Sequence, residues 1–442
     1  MPFEAPTLRS ADNYTHNPNA QKIAIIGAGI SGMGAAHMLG RDNHVTLFEA
    51  EKRLGGHART VMAGQYGNQP VETGFIVFNY ANYPHMAALF EELDVPVVKS
   101  NMSFGASING GALEYALTSI DALFAQRKNA VNPKFLRMVR DIFHFNKNAL
   151  RVASDRSLTL ADFLAKLGTG EWFRDYYLLP LSGAIWSTPT EKIMDFPAHA
   201  MIQFFENHAL LNHTGQHQWY TVDGGSREYV RRLETSLRDK KVDLRLGAAV
   251  QSVTRTGGKV HLRTWGGDVE TFDQVIFATH SDDTLKLMVD ASSEEKKALS
   301  AIAYQSNDIV LHADASIMPK RRKTWASWVY TEDDTAQSDR IDLTYWMNSL
   351  QPIPMDDPHF VTLNTRRAIR DDKIYDQVTL RHPVYDLAAL AAQEQVRSFN
   401  GRNNTWFCGA WMRHGFHEDG LASAVDVVQA LKTRAAMKLA AE

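Results

Sequence analysis

The stretch Lys22–Thr60, KIAIIGAGISGMGAAHMLGRDNHVTLFEAEKRLGGHART, constrains this chain more than any other. Its run Ile23-Ala24-Ile25-Ile26 is the short, continuously apolar segment that a strand buried on both faces needs. Gly27, Gly29 and Gly32 follow at once, so the GxGxxG spacing sits where it carries meaning. Gly27 permits a tight turn, Gly29 lets a diphosphate approach the backbone, and Gly32 lets the next helix pack against the strand. That helix is expected from about Ser31 to Leu39, with Ile30 and Ser31 at its start offering free N–H groups and a positive dipole end. A second strand, Val45 to Phe48, ends in Glu49 and Ala50. An acid there, about twenty positions after the glycines, holds the ribose hydroxyls of an adenine dinucleotide.

The next residues choose the dinucleotide. Glu49, Arg53, Gly55-Gly56, His57 and Arg59 form a pattern that resembles the extended flavin-binding motif of the amine oxidase and phytoene desaturase superfamily. There the order is an acid, Arg, a Gly-Gly pair, then usually Arg; here His57 takes the last place. Arg53 and Arg59 can offset diphosphate charge, and the glycine pair gives a second close backbone approach. The resemblance implies noncovalent FAD and an α/β fold, a glutathione-reductase-like Rossmann domain with an inserted α+β substrate domain of the amine oxidase kind. It further implies that Glu72, Thr73, Gly74 and Phe75 lie by the isoalloxazine ring, that the Val250 backbone pairs with adenine, and that Thr279 lies near the phosphates. Gly409 and Ala410 would meet the ribityl chain, with Ala410 where an acid is usual. Phe416, His417 and Leu421 would open a helix facing the pyrimidine end, Phe416 taking the place of one wall of the amine oxidase aromatic cage. His417 and Glu418 are the candidate catalytic bases, with a backbone-only role for His417 equally open.

Three segments narrow the resemblance. AIWSTP at Ala184 to Pro189, FENHALL at Phe205 to Leu211 and VDGGSREYV at Val222 to Val230 resemble a bacterial branch of predicted oxidoreductases often associated with cyclopropane fatty acid synthase. That branch typically has Gly-Ala where Gly409 and Ala410 stand. The lysine that amine oxidases carry on a strand of the substrate domain is replaced here by Asn307-Asp308. The resemblance therefore implies a hydrophobic substrate, an unsaturated or methylated fatty acyl chain, desaturated by hydride transfer to flavin N5. An amine or amino-acid oxidase, a redox-neutral flavin isomerase and a noncatalytic partner of a lipid methyltransferase stand as alternatives.

With 442 residues, 44% hydrophobic, the chain can build two domains. The expected division is a polar arm at 1–21, a discontinuous FAD domain at 22–100, 220–295 and 396–442, and a substrate domain at 101–219 and 296–395. The span 100–215 reads as mostly helical; strands are expected at Ile309–His312, Ser327–Tyr330, Asp342–Met347 and Phe360–Asn364. The net charge of -3 gives no reason to expect nucleic acid. A single cysteine, Cys408, rules out an internal disulfide, and no second GxGxxG offers a site for NADPH. His213 and His217 are four apart, but Thr-Gly-Gln between them argues for a loop, and no metal is expected.

No run approaches the ~20 apolar residues of a membrane span, so a cytoplasmic protein is expected. Peripheral contact with the inner face of a membrane stays open on two features. From Lys134 to Arg151, Phe135, Val139, Ile142, Phe143 and Leu150 are expected on one helical face, with Arg137, Arg140, Lys147 and Arg151 on the other. Lys320, Arg321, Arg322 and Lys323 precede Trp325 and Trp328, a pairing that suits a headgroup interface.

Overall fold

The computed structural model describes residues 20–186, 193–211, 217–267, 269–332 and 341–441. Residues 1–19 of the polar arm, Ser187 to Pro189 and His213 lie outside the described residues.

The apolar run becomes strand β1 (Lys22–Ile26), in which Ile23, Ala24 and Ile25 are fully buried. It pairs in parallel with β2 (His44–Glu49) on one side and Gln274–Phe277 on the other. With β3 (Asp243–Leu246), β4 (Gln274–Phe277) and β5 (Thr405–Phe407), the sheet order is β5-β4-β1-β2-β3. Helix α1 (Ile30–Leu39) follows β1 as the glycine spacing requires. A Cβ at Gly32 would lie 1.8 Å from the Gly27 carbonyl oxygen, so the helix can approach the turn only with glycine there. The chain is α/β, with a Rossmann-type sheet at its centre.

A second sheet of seven strands carries the other half. Its order is Ile374–Pro383, Tyr304–His312, Phe360–Leu363, Asp342–Trp346, Trp328–Glu332, Phe104–Ile108, Leu113–Ala116. The four expected strands are present. The span 100–215 is not helical from its start, since Phe104–Ile108 and Leu113–Ala116 join this sheet and helices begin only after them. Ile374–Pro383 was missed because it is an edge strand: among the described residues it pairs only with Tyr304–His312, and its exposed positions are Tyr375, Gln377 and Thr379.

Helix α2 (Pro84–Glu92) leans on the first sheet, and α3 (Pro133–Val152) packs in the helical layer over the second. The buried side of α3 is Phe135, Met138, Phe145, Ala149 and Val152. Phe143 and Leu150, expected on one face with Phe135, are 54% and 45% exposed while Phe135 is fully buried. Two faces of this sequence are apolar enough to bury, and Phe145 wins because it meets Phe163, Phe173 and Phe205 in an aromatic cluster. The basic residues before Trp325 stay exposed, but three of them are held by neighbours. Arg321 pairs with buried Glu114 at 2.8 Å, Arg322 lies 3.6 Å above the Trp325 ring, and Lys323 pairs with Asp121 at 2.8 Å. No helix among the described residues is long and apolar enough to cross a membrane.

Candidate active site and cofactor cleft

The cleft begins at the glycine turn. Gly29 caps α1 with no side chain on its N–H groups, and a Cβ built there meets nothing within 4 Å. The first turn of α1 therefore has its positive end free for an anion. Gly56 closes the other side: its Cβ would lie 3.0 Å from the Gly29 Cα, and Gly55 N–H bonds the Ala28 carbonyl at 2.9 Å. Glu49 sits at the end of β2, its Oε2 accepting from Ala28 N–H at 2.7 Å and its Oε1 from Glu51 N–H at 2.9 Å. Ala248 N–H bonds the Glu49 carbonyl at 2.9 Å, which brings Val250, first residue of the strand Val250–Thr256, to the same end of the sheet. Thr279 also lies at the turn, its methyl 3.1 Å from the Gly27 Cβ position.

The two arginines behave differently from expectation. Arg53 donates to the carbonyls of Gly56 at 2.8 Å and Ala58 at 3.3 Å and so shapes the loop that carries the glycine pair. Arg59 is turned away from the glycine turn: it pairs with Asp376 of the second sheet at 2.6 and 3.1 Å. Glu72 likewise serves the fold. Its carboxylate accepts from Ser226 N–H at 2.6 Å and Ser226 Oγ at 2.7 Å, and burial raises its pKa. The side chains of Glu72 and Thr73 therefore buttress the cleft and do not line it, Thr73 bonding the Arg59 carbonyl at 3.1 Å. Gly74 is required where it is, since its Cβ would fall 1.9 Å from the His57 carbonyl oxygen.

Helix α4 (His417–Ala441) brings the C-terminal motif to the same place. Leu421 packs over Gly34, and a Cβ at Gly420 would lie 2.9 Å from Ile30 and 3.0 Å from Ser31, so the first turns of α1 and α4 are side by side. Gly409 N–H bonds Ser423 of α4 at 2.9 Å, and the Ala410 carbonyl accepts from Tyr385 at 3.4 Å. His417 stacks on Phe75 with ring centroids 4.1 Å apart, and its Nε2 is 2.6 Å from the Tyr229 hydroxyl. Burial lowers its pKa to about 3, so its ring is neutral and a weak base. That placement favours the backbone role for His417. Glu418 is withdrawn as a base: its two oxygens accept from the N–H groups of His85 at 3.0 Å and Met86 at 2.9 Å, capping α2.

Two features were not read from the sequence. Asp419, beside Glu418, accepts from Phe416 N–H at 2.9 Å, and burial raises its pKa to about 6. The second is a histidine cluster. His57 stands 5.7 Å from His280 and 5.6 Å from His382 between ring centroids, and burial lowers all three, His280 to about 4 and His382 to about 3. Asn307, one of the two residues that the resemblance sets against the amine oxidase lysine, is fully buried and donates to His382 Nδ1 at 2.9 Å. No local pattern links these four residues, because they come from four separate segments. His280, Asp282 and Asp283 approach one another closely enough to share an ion, but Arg381 already pairs with both carboxylates.

The wall opposite is aromatic. Phe416 stacks on Phe204 at 4.8 Å, and Phe204 stacks on His208 at 3.9 Å. Beside the Ala410–Gly415 loop, Trp186, Phe196, Met201, Tyr385, Leu390 and His414 line a narrow apolar slot.

Over residues 30–343 the sequence matches the family described as flavin containing amine oxidoreductase. The chain belongs to that family. Its cofactor is FAD, and the cleft fits it: the open space at Gly29, the Gly55-Gly56 approach and the paired helix ends suit a diphosphate and a flavin. Cys408 is fully buried with its thiol pushed up to about 12, which suits a structural side chain and not a flavin linkage. Protoporphyrinogen oxidase 2 of Arabidopsis thaliana is 43% identical over 53 residues, 12% of this chain and 10% of that protein. Among solved structures, a CLA-producing fatty acid isomerase from P. acnes superposes with a TM-score of 0.68, at 16% identity over 93% of this chain and 99% of that one. Cyclohexylamine oxidase from Brevibacterium oxydans gives 0.68, at 14% identity over 93% and 100%. At such identities these likenesses establish the fold of the flavoprotein and leave its substrate open.

Proposed function

We propose that this flavoprotein oxidises an unsaturated or methylated fatty acyl chain. The observation that carries the reading is Asn307: a buried neutral amide, bonded to His382 and accepting from Asn364 at 2.8 Å, which with Asp308 the resemblance sets where amine oxidases hold a lysine. The surroundings agree with it. His57, His280, His382 and His417 are all held neutral by burial, and the slot beside the Ala410–Gly415 loop is lined almost wholly by apolar side chains. When bound, FAD supplies a two-electron acceptor. Phe204 and Phe416 would hold the chain against the cleft and exclude water. Tyr229 and Phe75 fix the His417 ring, and with it the first turn of α4. The resemblance to the branch associated with cyclopropane fatty acid synthase supports a lipid methyltransferase as the source of a methylated chain or as a partner.

A second reading is redox-neutral migration of a double bond, supported by a fatty acid isomerase sharing the fold. Anaerobic mixing of the FAD-loaded protein with phospholipids bearing monounsaturated or methylated acyl chains separates the possibilities. Bleaching of the flavin with a new double bond in the product, by mass spectrometry, is the expected result. Double-bond migration without net reduction would replace it with the isomerase. Bleaching by amines alone would restore amine oxidation, and silence with both would leave a noncatalytic role beside a methyltransferase.

A further inference from the structure

The outer face of α3 has the composition of a membrane-contacting helix: it exposes large apolar side chains beside its basic ones, whereas Arg321, Arg322 and Lys323 before Trp325 are exposed but engaged by Glu114, Trp325 and Asp121. Leu136, Arg140, Phe143, Lys147, Leu150 and Arg151 fall within an arc about 100° wide at 100° per residue. The three apolar side chains among them are 42%, 54% and 45% exposed. A scattered exposed leucine is ordinary; three aligned along one helix, with basic residues between them, are not. The whole helix carries five basic residues against one acid, Asp141, which is 4% exposed and shared by Arg137 and Arg140. This local excess of positive charge stands on a chain whose net charge is -3. Val131, just before the helix, is 81% exposed and extends the apolar surface.

We infer that α3 docks the protein on an anionic phospholipid bilayer. The leucines and Phe143 enter the headgroup boundary while Arg140, Lys147 and Arg151 meet lipid phosphates. Nucleic acid would use the charges but would leave the apolar stripe in water, and so fits half of the face. The inference stands on the surface of α3 alone and does not depend on which substrate the flavin oxidises.

The test is co-sedimentation of the full-length, FAD-loaded protein with vesicles of phosphatidylglycerol and phosphatidylcholine, and with phosphatidylcholine alone, at low and high salt. Expected is binding to the anionic vesicles that salt weakens. The double variant Arg140→Glu with Lys147→Glu should bind more than tenfold more weakly, given about fivefold for each basic residue lost. Leu136→Ser with Phe143→Ser and Leu150→Ser should also lose more than tenfold, while Lys296→Glu on another surface helix binds as the parent does. Flavin absorbance and circular dichroism check that each variant is folded. Failure of the parent to sediment with anionic vesicles at low salt, or binding by either α3 variant equal to the parent's, overturns the inference. Tight binding of duplex DNA that is lost in the charge variant and kept in the serine variant would also overturn it.

Discussion

Single residues decide whether the cofactor can enter. Gly56 has φ +57 and its Cβ would lie 3.0 Å from the Gly29 Cα, whereas Gly110, at φ +60, has nothing within 4 Å of its Cβ position. Both substitutions by alanine carry the same backbone strain of about 1 kcal/mol; only Gly56→Ala also pushes two loops apart. Gly56→Ala is expected to purify with little flavin and Gly110→Ala with a full complement, read from flavin absorbance per chain. Asp419 gives the pH dependence. Its folded pKa, about 6, is above its unfolded value, so the stability it contributes is present below the unfolded pKa and lost as pH rises through about 6. Asp419→Asn keeps an acceptor for the Phe416 N–H and removes the ionisation. Its urea midpoint should exceed the parent's at pH 8, with the advantage shrinking toward pH 5; an equal difference at both would show that burial of this charge is not the cause.

At the scale of elements, neighbouring acids divide two jobs that their order in sequence does not assign. Glu418 caps α2, which has Pro84 at its start and no side-chain cap from its own N-cap residue Tyr83. Glu418→Ala should therefore lower stability by about 1–2 kcal/mol, the usual cost of a lost cap. Flavin reduction by substrate should keep its rate in that variant, as measured by stopped-flow; a fall of 100-fold or more with unchanged stability would return Glu418 to the role of base. The strand–helix–strand unit from Lys22 to Glu49 was legible because every level agrees there: apolar run, glycine spacing and terminal acid all describe one structure. The rotation of α3 was not legible, since its sequence offers two burials and the choice lies with the aromatic cluster of Phe163, Phe173 and Phe205.

Across the whole molecule, the cofactor cleft is tied to both sheets. Arg59 reaches Asp376, His57 Nε2 donates to the Arg381 carbonyl at 3.1 Å, and Glu72 N–H bonds Gln351 Oε1 at 2.9 Å. FAD that binds only the folded chain should then stabilise both halves together. A free concentration 100 times its dissociation constant raises stability by about 2.7 kcal/mol. Stripping the flavin should lower the thermal midpoint of both sheets in step, as followed by hydrogen exchange of β1 and of Tyr304–His312; loss of protection in β1 alone would mean that the ties do not couple them. The sequence by itself determined the dinucleotide unit, the flavin family and four of the seven strands of the second sheet, because those depend on short-range patterns of apolar spacing and glycine. Only the tertiary structure decided that Glu418 is a cap, that Arg59 binds Asp376, that His57, His280, His382 and Asn307 meet, and which face of α3 is left outside. Each of those depends on a partner in another element, from 18 residues away for Phe145 and Phe163 to more than 300 for Glu418 and Met86, and no local pattern encodes such a contact.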